Sequence, residues 1–180
     1  MDLAGIAADL RRVTVELADA GHAVGSGVVW APDWVVTNAH VAPRRPHVIV
    51  RRADGAEAHG RVVARDRDAD LALLQVPGLG LSAAILAPAD ELRVGSLVVA
   101  VGHPFGVRGA LTTGIVHAMG SFVPGGRSWI QGDLRLAPGN SGGPLADVRG
   151  RVVGINAMIV GTLALAIPVS DVTRFVRGAG

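Results

Sequence analysis

From residue 12 onward the chain is a succession of short apolar runs, each stopped by glycine or proline within a few residues. That rhythm constrains the fold more than any other feature. Val13, Val15 and Leu17 alternate with Thr14 and Glu16, the pattern of a strand with one buried face. Runs at 25–30 and 34–37 are joined by Ala31-Pro32-Asp33, and runs at 48–51 and 60–64 flank Asp54-Gly55, a hairpin signal. Further runs follow at 71–76, 97–102, 110–119, 128–136, 144–148, 151–158 and 162–167. So many short strands, punctuated by 25 Gly and 10 Pro in 180 residues, predict an all-β barrel or sandwich. Only the ends depart from this. Leu3, Ile6, Ala7 and Leu10 form a helical stripe, and Ser170 is a plausible N-cap for a closing helix through Val172, Phe175 and Val176. The halves before and after about residue 90 share a layout without a clear sequence repeat.

Bulk properties exclude several classes. Apolar residues make up 49% and charged residues 18%, a globular balance. No apolar run reaches the roughly 18–20 residues that span a bilayer. The pI near 10.8 does not signal nucleic-acid binding. All 17 basic residues are Arg, with no Lys, Tyr or Cys, so a net charge of +2 displaces the pI far upward. The arginines are dispersed and aromatics are 3%, too few for base stacking; a solvated surface is the expected role of these charges. Zero Cys excludes disulfides and thiolate metal sites. His22, His47, His59, His103 and His117 lack ligand spacing, so no metal or organic cofactor is expected. The acid in Met1-Asp2-Leu3 argues against a signal peptide.

The chemistry-bearing stretch is Gly139-Asn140-Ser141-Gly142-Gly143-Pro144-Leu145. A serine in a tight glycine turn can expose its hydroxyl beside backbone N–H groups aimed at a developing oxyanion. Alone, such a stretch reads better as a turn whose serine bonds locally. His40 closes an apolar run in Thr37-Asn38-Ala39-His40-Val41. Asp66, Asp68 and Asp70 alternate like a calcium loop but lack its glycine and its glutamate. Asp70 abuts an apolar strand, where a carboxylate needs a partner such as an imidazole N–H. The order His40…Asp70…Ser141 is that of the chymotrypsin-type triad and not of subtilisin or the α/β-hydrolases.

Eight segments in order then resemble the protease domain of the HtrA/Deg-type serine proteases of the chymotrypsin-like (trypsin-like) superfamily. They are Gly25-Ser26-Gly27-Val28-Val29, Thr37-Asn38-Ala39-His40-Val41, Asp70-Leu71-Ala72-Leu73-Leu74, Gly102-His103-Pro104-Phe105-Gly106, Thr113-Gly114-Ile115-Val116, the Ser141 stretch, Val153-Gly154-Ile155-Asn156 and Ala166-Ile167-Pro168. The resemblance implies two six-stranded antiparallel β-barrels with a cleft between them. It divides the chain into an N-terminal helical segment (1–11), a first barrel (12–90) with His40 and Asp70, a second (91–168) with Ser141, and a C-terminal helix (169–180).

It also implies roles. His40 would be the base, Asp70 its orienting acid and Ser141 the nucleophile, in peptide hydrolysis through an acyl-enzyme. The Gly139-Asn140-Ser141 run would form the oxyanion hole, with the N–H groups of Gly139 and Ser141 as donors. Leu136, Arg135 and Asn156 are the candidates for the specificity pocket. Leu136 facing it implies a small or medium apolar side chain in the substrate; Arg135 facing it implies an acidic one. Asn140 carries no charge to pair with a freed N-terminus, so activity is expected without zymogen cleavage. His103 stands where relatives often have Asn, and a structural role is expected of it. The implied partners are unfolded polypeptides in protein quality control, with no nucleic acid and no membrane span; relatives are mostly extracytoplasmic. Whether residues 2–11 join protomers, as in trimeric relatives, or cap a barrel stays open, and the chain ends without the usual PDZ domain. The competing readings are a chaperone-like or gated binder of extended chains and an esterase.

Overall fold

A computed structural model describes residues 2–179; Met1 and Gly180, the outer ends of the two expected helical segments, lie outside the described residues. Helix α1 (Leu3–Val13) leads into β1 (Thr14–Asp19), β2 (His22–Ala31), β3 (Trp34–Thr37), β4 (His47–Arg51), β5 (Glu57–Asp66) and β6 (Leu71–Gln75). After a long connection come β7 (Leu97–Gly102), a 3₁₀ turn (Pro104–Gly106), β8 (Ala110–Gly120), β9 (Trp129–Asp133), β10 (Pro144–Asp147), β11 (Val152–Val160), β12 (Leu163–Pro168) and α2 (Val169–Gly178). The strands close into two six-stranded antiparallel barrels, ordered β1-β2-β3-β6-β5-β4 and β10-β11-β12-β9-β8-β7. The predicted all-β architecture is thus present as two barrels. Their connectivity is the same in both halves, a repeat that the residues themselves do not display.

Each barrel is filled by the inward side of its alternating strands. Val15, Leu17, Val29, Val35, Val50 and Leu74 pack inside the first; Val98, Ala100, Ile130, Leu145 and Val153 pack inside the second. A further cluster joins Val28, Val36, Leu71 and Leu73 of the first barrel to Trp129, Ile155, Leu165 and Ile167 of the second, closed by Val172 of α2. The two barrels therefore share a core, and the site elements at their junction are held from both sides. Helix α1 packs on the second barrel through Leu10, against Val99, Val101 and Ala146. Asp2 caps it by accepting from the Gly5 N–H at 2.9 Å.

Strand β1 departs from the expected one-sided burial. Thr14 and Glu16 are buried along with Val15 and Leu17, because β1 lies between its own barrel core and α1 and β7. Thr14 donates to the Leu10 carbonyl at 2.7 Å. Glu16 lies 3.9 Å from Arg51 and 3.7 Å from Arg108. The apolar stretch expected over 128–136 is a strand only to Asp133. Its last pair is Ile115 with Asp133, after which the chain leaves the sheet to build the loop that carries Ser141.

Candidate active site

His40 sits in the turn that leaves β3, directly above the shared core. Its Nδ1 lies 2.8 Å from Asp70 Oδ2 and 3.0 Å from Oδ1, and its backbone N–H donates to Oδ1 at 3.0 Å. Asp70 is buried, whereas the imidazole is half exposed, and among the described residues its Nε2 has no hydrogen-bond partner. Asp70 comes from the turn between β5 and β6, where Asp66 Oδ1 accepts from the Ala69 N–H at 2.8 Å. That bond is a local cap. Asp70 has φ +50°, a left-handed conformation that costs a non-glycine residue about 1–2 kcal/mol. Contacts around it must hold it there. One is Asn38, fully buried, whose Nδ2 donates to the Asp70 carbonyl at 3.2 Å.

Two further contacts come from arginines, which the sequence pattern places on a solvated surface. Arg65 of β5 donates to the carbonyls of Ala39, Ala42 and Pro43 at 3.1, 3.2 and 2.5 Å, gathering the turn that carries His40. Arg127 donates to the carbonyls of Asp68 (3.2 Å) and Ala69, just before Asp70. Desolvation lowers its pKa, opposed by the charges of Asp70, Asp171 and Asp66. Residue type alone gives no sign of these roles, because a carbonyl-capping arginine and a solvated one look alike in a sequence.

The nucleophile loop is assembled by residues of both barrels. Ser26 of β2 donates through Oγ to the Gly139 carbonyl at 2.7 Å and accepts there from the His103 N–H at 3.2 Å. Its own N–H donates to the Ser141 carbonyl at 2.9 Å. In the sequence Ser26 stands only inside a glycine motif, and its position as the hook for this loop was not expected. Gly139 (φ +106°) and Gly142 (φ +84°) need glycine, because a Cβ would collide with the His103 carbonyl at the first and the Ser26 carbonyl at the second.

The peptide between Pro138 and Gly139 is oriented by the turn after β7. The Pro138 carbonyl accepts from the Phe105 N–H at 3.2 Å, so the Gly139 N–H, on the opposite edge of the same planar unit, points away from that turn. Among the described residues neither the Gly139 nor the Ser141 N–H has a hydrogen-bond partner. The Asn140 N–H is different. It donates to the Ala137 carbonyl at 3.0 Å, so within the Gly139-Asn140-Ser141 run it adds no free N–H to the two expected donors. Its side chain is buried, with Oδ1 unpartnered among the described residues.

Ser141 does not bond to His40. Its hydroxyl donates to the Ala157 carbonyl on β11 at 2.9 Å. The hydroxyl is thus engaged by a backbone carbonyl and not by the imidazole.

The expected pocket residues fall in three settings. Asn156 is buried and spent internally: Nδ2 donates to the Pro144 carbonyl at 2.9 Å, and its backbone bonds Gly142 and Gly143. It braces the nucleophile loop and, at 1% exposure, offers almost no surface to a substrate side chain, a correction to the expectation. Leu136 is half-buried against the second-barrel core. Arg135 is exposed, beside a cavity of about 400 Å³ formed with Leu111, Thr112 and Thr113. A cavity of about 410 Å³ opens at His40 between Ala42, Arg44 and Arg67. His103 is 3% exposed with both ring nitrogens unpartnered among the described residues; burial, then the charge of Arg108, lowers its pKa to about 4.

Comparison with known proteins identifies the family. The trypsin-like peptidase domain matches residues 25–155. A protein named "probable periplasmic serine endoprotease DegP-like" from Ectopseudomonas mendocina (strain ymp) is 43% identical over 143 residues, covering 76% of this chain and 29% of its own length. A protein of the same name from Pseudomonas savastanoi pv. phaseolicola (strain 1448A / Race 6) is 37% identical over 169 residues, covering 87% and 35%. The chain thus spans about a third of the length of these relatives. Among solved structures, the HtrA-type protease AlgW with a decapeptide superposes with a TM-score of 0.91 at 26% identity, covering 99% of this chain and 67% of that one. Rv3671c from M. tuberculosis H37Rv, a serine-to-alanine mutant in an inactive form, gives 0.85 at 26% identity, covering 97% and 90%.

Proposed function

Because the chain belongs to the trypsin-like peptidase domain family, we propose that it is a serine endopeptidase of HtrA type. It hydrolyses peptide bonds of unfolded or damaged polypeptides through an acyl-enzyme. The observation that carries this is the His40–Asp70 contact at 2.8 Å, set beside a serine loop with two unpartnered backbone N–H groups among the described residues.

In the proposed reaction the Ser141 hydroxyl leaves the Ala157 carbonyl and donates to His40 Nε2. Oγ attacks the scissile carbonyl as Nε2 takes the proton, and Asp70 stabilises the imidazolium and fixes its tautomer. The Gly139 and Ser141 N–H groups receive the oxyanion; one such donor is worth about 2.7–4 kcal/mol in the transition state of other enzymes. The proton then passes from Nε2 to the leaving amine. Water, deprotonated by the same nitrogen, releases the acyl group and restores Ser141.

The parked hydroxyl supports a gated form of this reading. The unliganded enzyme rests with Ser141 on Ala157, and an extended substrate that takes that carbonyl frees the nucleophile. Leu136 lines the specificity pocket, so small or medium apolar side chains are preferred; a substrate profile dominated by Asp or Glu would assign it to Arg135. The names of the relatives support an extracytoplasmic site of action. No helix among the described residues is long and apolar enough to cross a membrane. Digestion of casein by the purified protein, absent in Ser141→Ala, tests the function. Binding of unfolded casein without cleavage would assign the chaperone-like alternative.

A further inference from the structure

A second-barrel residue reaches across to the turn that carries Asp70, and it is none of the expected ones. It is Arg127, at the end of the loop between β8 and β9. Its guanidinium lies over the Trp129 ring, 4.2 Å from the centroid, a seat that fixes the planar fork by cation–π attraction. From there it reaches into the first barrel, to the carbonyls of Asp68 and Ala69. The Ala69 carbonyl and the Asp70 N–H belong to one rigid peptide unit. Holding that carbonyl fixes the plane entering Asp70. Asn38 holds the Asp70 carbonyl, and so the plane leaving it. The two planes on either side of one residue define its φ and ψ, here a left-handed pair with φ +50°.

The outer side of this turn is open around Arg127. A cavity of about 720 Å³ lies there, lined by Asp66, Asp68, Asp171, Phe175 and Arg127 itself. Asp66 and Asp171 offer the guanidinium charge compensation, but the hydrogen bonds go to the backbone carbonyls.

We propose that Arg127 is a positioning residue for Asp70, clamping from the second barrel the turn of the first barrel that aims the carboxylate at His40. The assignment rests on the peptidase reading given above for His40, Asp70 and Ser141. It makes the β8–β9 loop a place from which the Asp70–His40 contact can be loosened.

The test compares wild-type protein with Arg127→Gln, Arg127→Lys, Asp70→Asn and the Arg127→Gln/Asp70→Asn double variant. The readouts are thermal stability, kinetics on an unfolded substrate, and the downfield proton resonance of the His40 Nδ1–H bonded to Asp70. Arg127→Gln is expected to broaden that resonance or move it upfield and to lower kcat about tenfold with KM little changed, the sign of lost transition-state stabilisation. Arg127→Lys, which keeps the charge but loses the fork, behaves like Arg127→Gln. The double variant is no slower than Asp70→Asn, because the two residues act as a unit. An unchanged resonance in both single variants, or a loss in kcat that adds fully to that of Asp70→Asn, overturns the proposal. A resonance that responds in a protein with no turnover overturns the peptidase reading and leaves the clamp standing.

Discussion

The Ser141 hydroxyl donates to the Ala157 carbonyl at 2.9 Å, while His40, held through Nδ1 by Asp70, keeps Nε2 free. Acid and base are paired, and the serine hydroxyl is engaged elsewhere. Asp70→Asn puts an amide donor where Oδ2 faces Nδ1 and favours the wrong tautomer. A loss of about 10⁴ in kcat is expected, with the fold intact. Steady-state kinetics with circular dichroism checks it; a loss below tenfold would mean that Asp70 is not the orienting acid.

Ser26→Ala should separate loop positioning from triad chemistry. It removes the Oγ that bonds both the Gly139 carbonyl and the His103 N–H, leaving these two only their direct bond of 3.2 Å, a loss of about 0.5–1.5 kcal/mol for each bond removed. A fall of about 10–100-fold in kcat/KM is the expected result, with His40 titrating as in wild type. Unchanged kinetics would show that the loop holds its shape without Ser26.

His103 makes stability depend on pH. Its pKa is lowered to about 4 by burial, against about 6.5 in an unfolded chain, so below pH 6.5 the unfolded state binds the extra proton. The stability contributed by a neutral His103 is fully present above about pH 6.5 and is lost as pH falls toward 4, by roughly 3 kcal/mol in all. Urea denaturation between pH 4 and 7 should show this slope in wild type and a shallower one in His103→Asn. Equal slopes would contradict it.

Asn140→Asp places a carboxylate where Asn140 Oδ1 is buried without a partner among the described residues. The described N-terminal residues do not supply a cation there, since they are spent on α1, packed on the second barrel. A drop in stability of several kcal/mol at pH 7, recovering toward low pH, is expected from thermal melts. An Asn140→Asp variant as stable as wild type at pH 7 would reveal a hidden cationic partner.

Much of this was legible in the sequence, for identifiable reasons. Strands such as Leu97–Gly102 follow from short apolar runs bounded by glycine, and His40, Asp70 and Ser141 from their order and flanking motifs. What stayed hidden depends on contacts distant in the chain. Thr14 and Glu16 look like an exposed face because nothing local reveals that α1 and β7 cover them. Arg65 and Arg127 look like surface charges because their acceptors are backbone carbonyls, which carry no residue signature. Asn156 resembled a pocket residue because the acceptor of its side chain, the Pro144 carbonyl on β10, is a backbone group that the residue pattern does not announce.

The central claim is that Ser141 is a nucleophile activated by His40. Its most direct test is covalent labelling by a fluorophosphonate, with the modified residue located by mass spectrometry in wild type, His40→Ala and Ser141→Ala. The account predicts one adduct, on Ser141, formed in wild type, strongly slowed in His40→Ala and absent in Ser141→Ala. An adduct on another residue, or labelling of Ser141 at the same rate without His40, would contradict it.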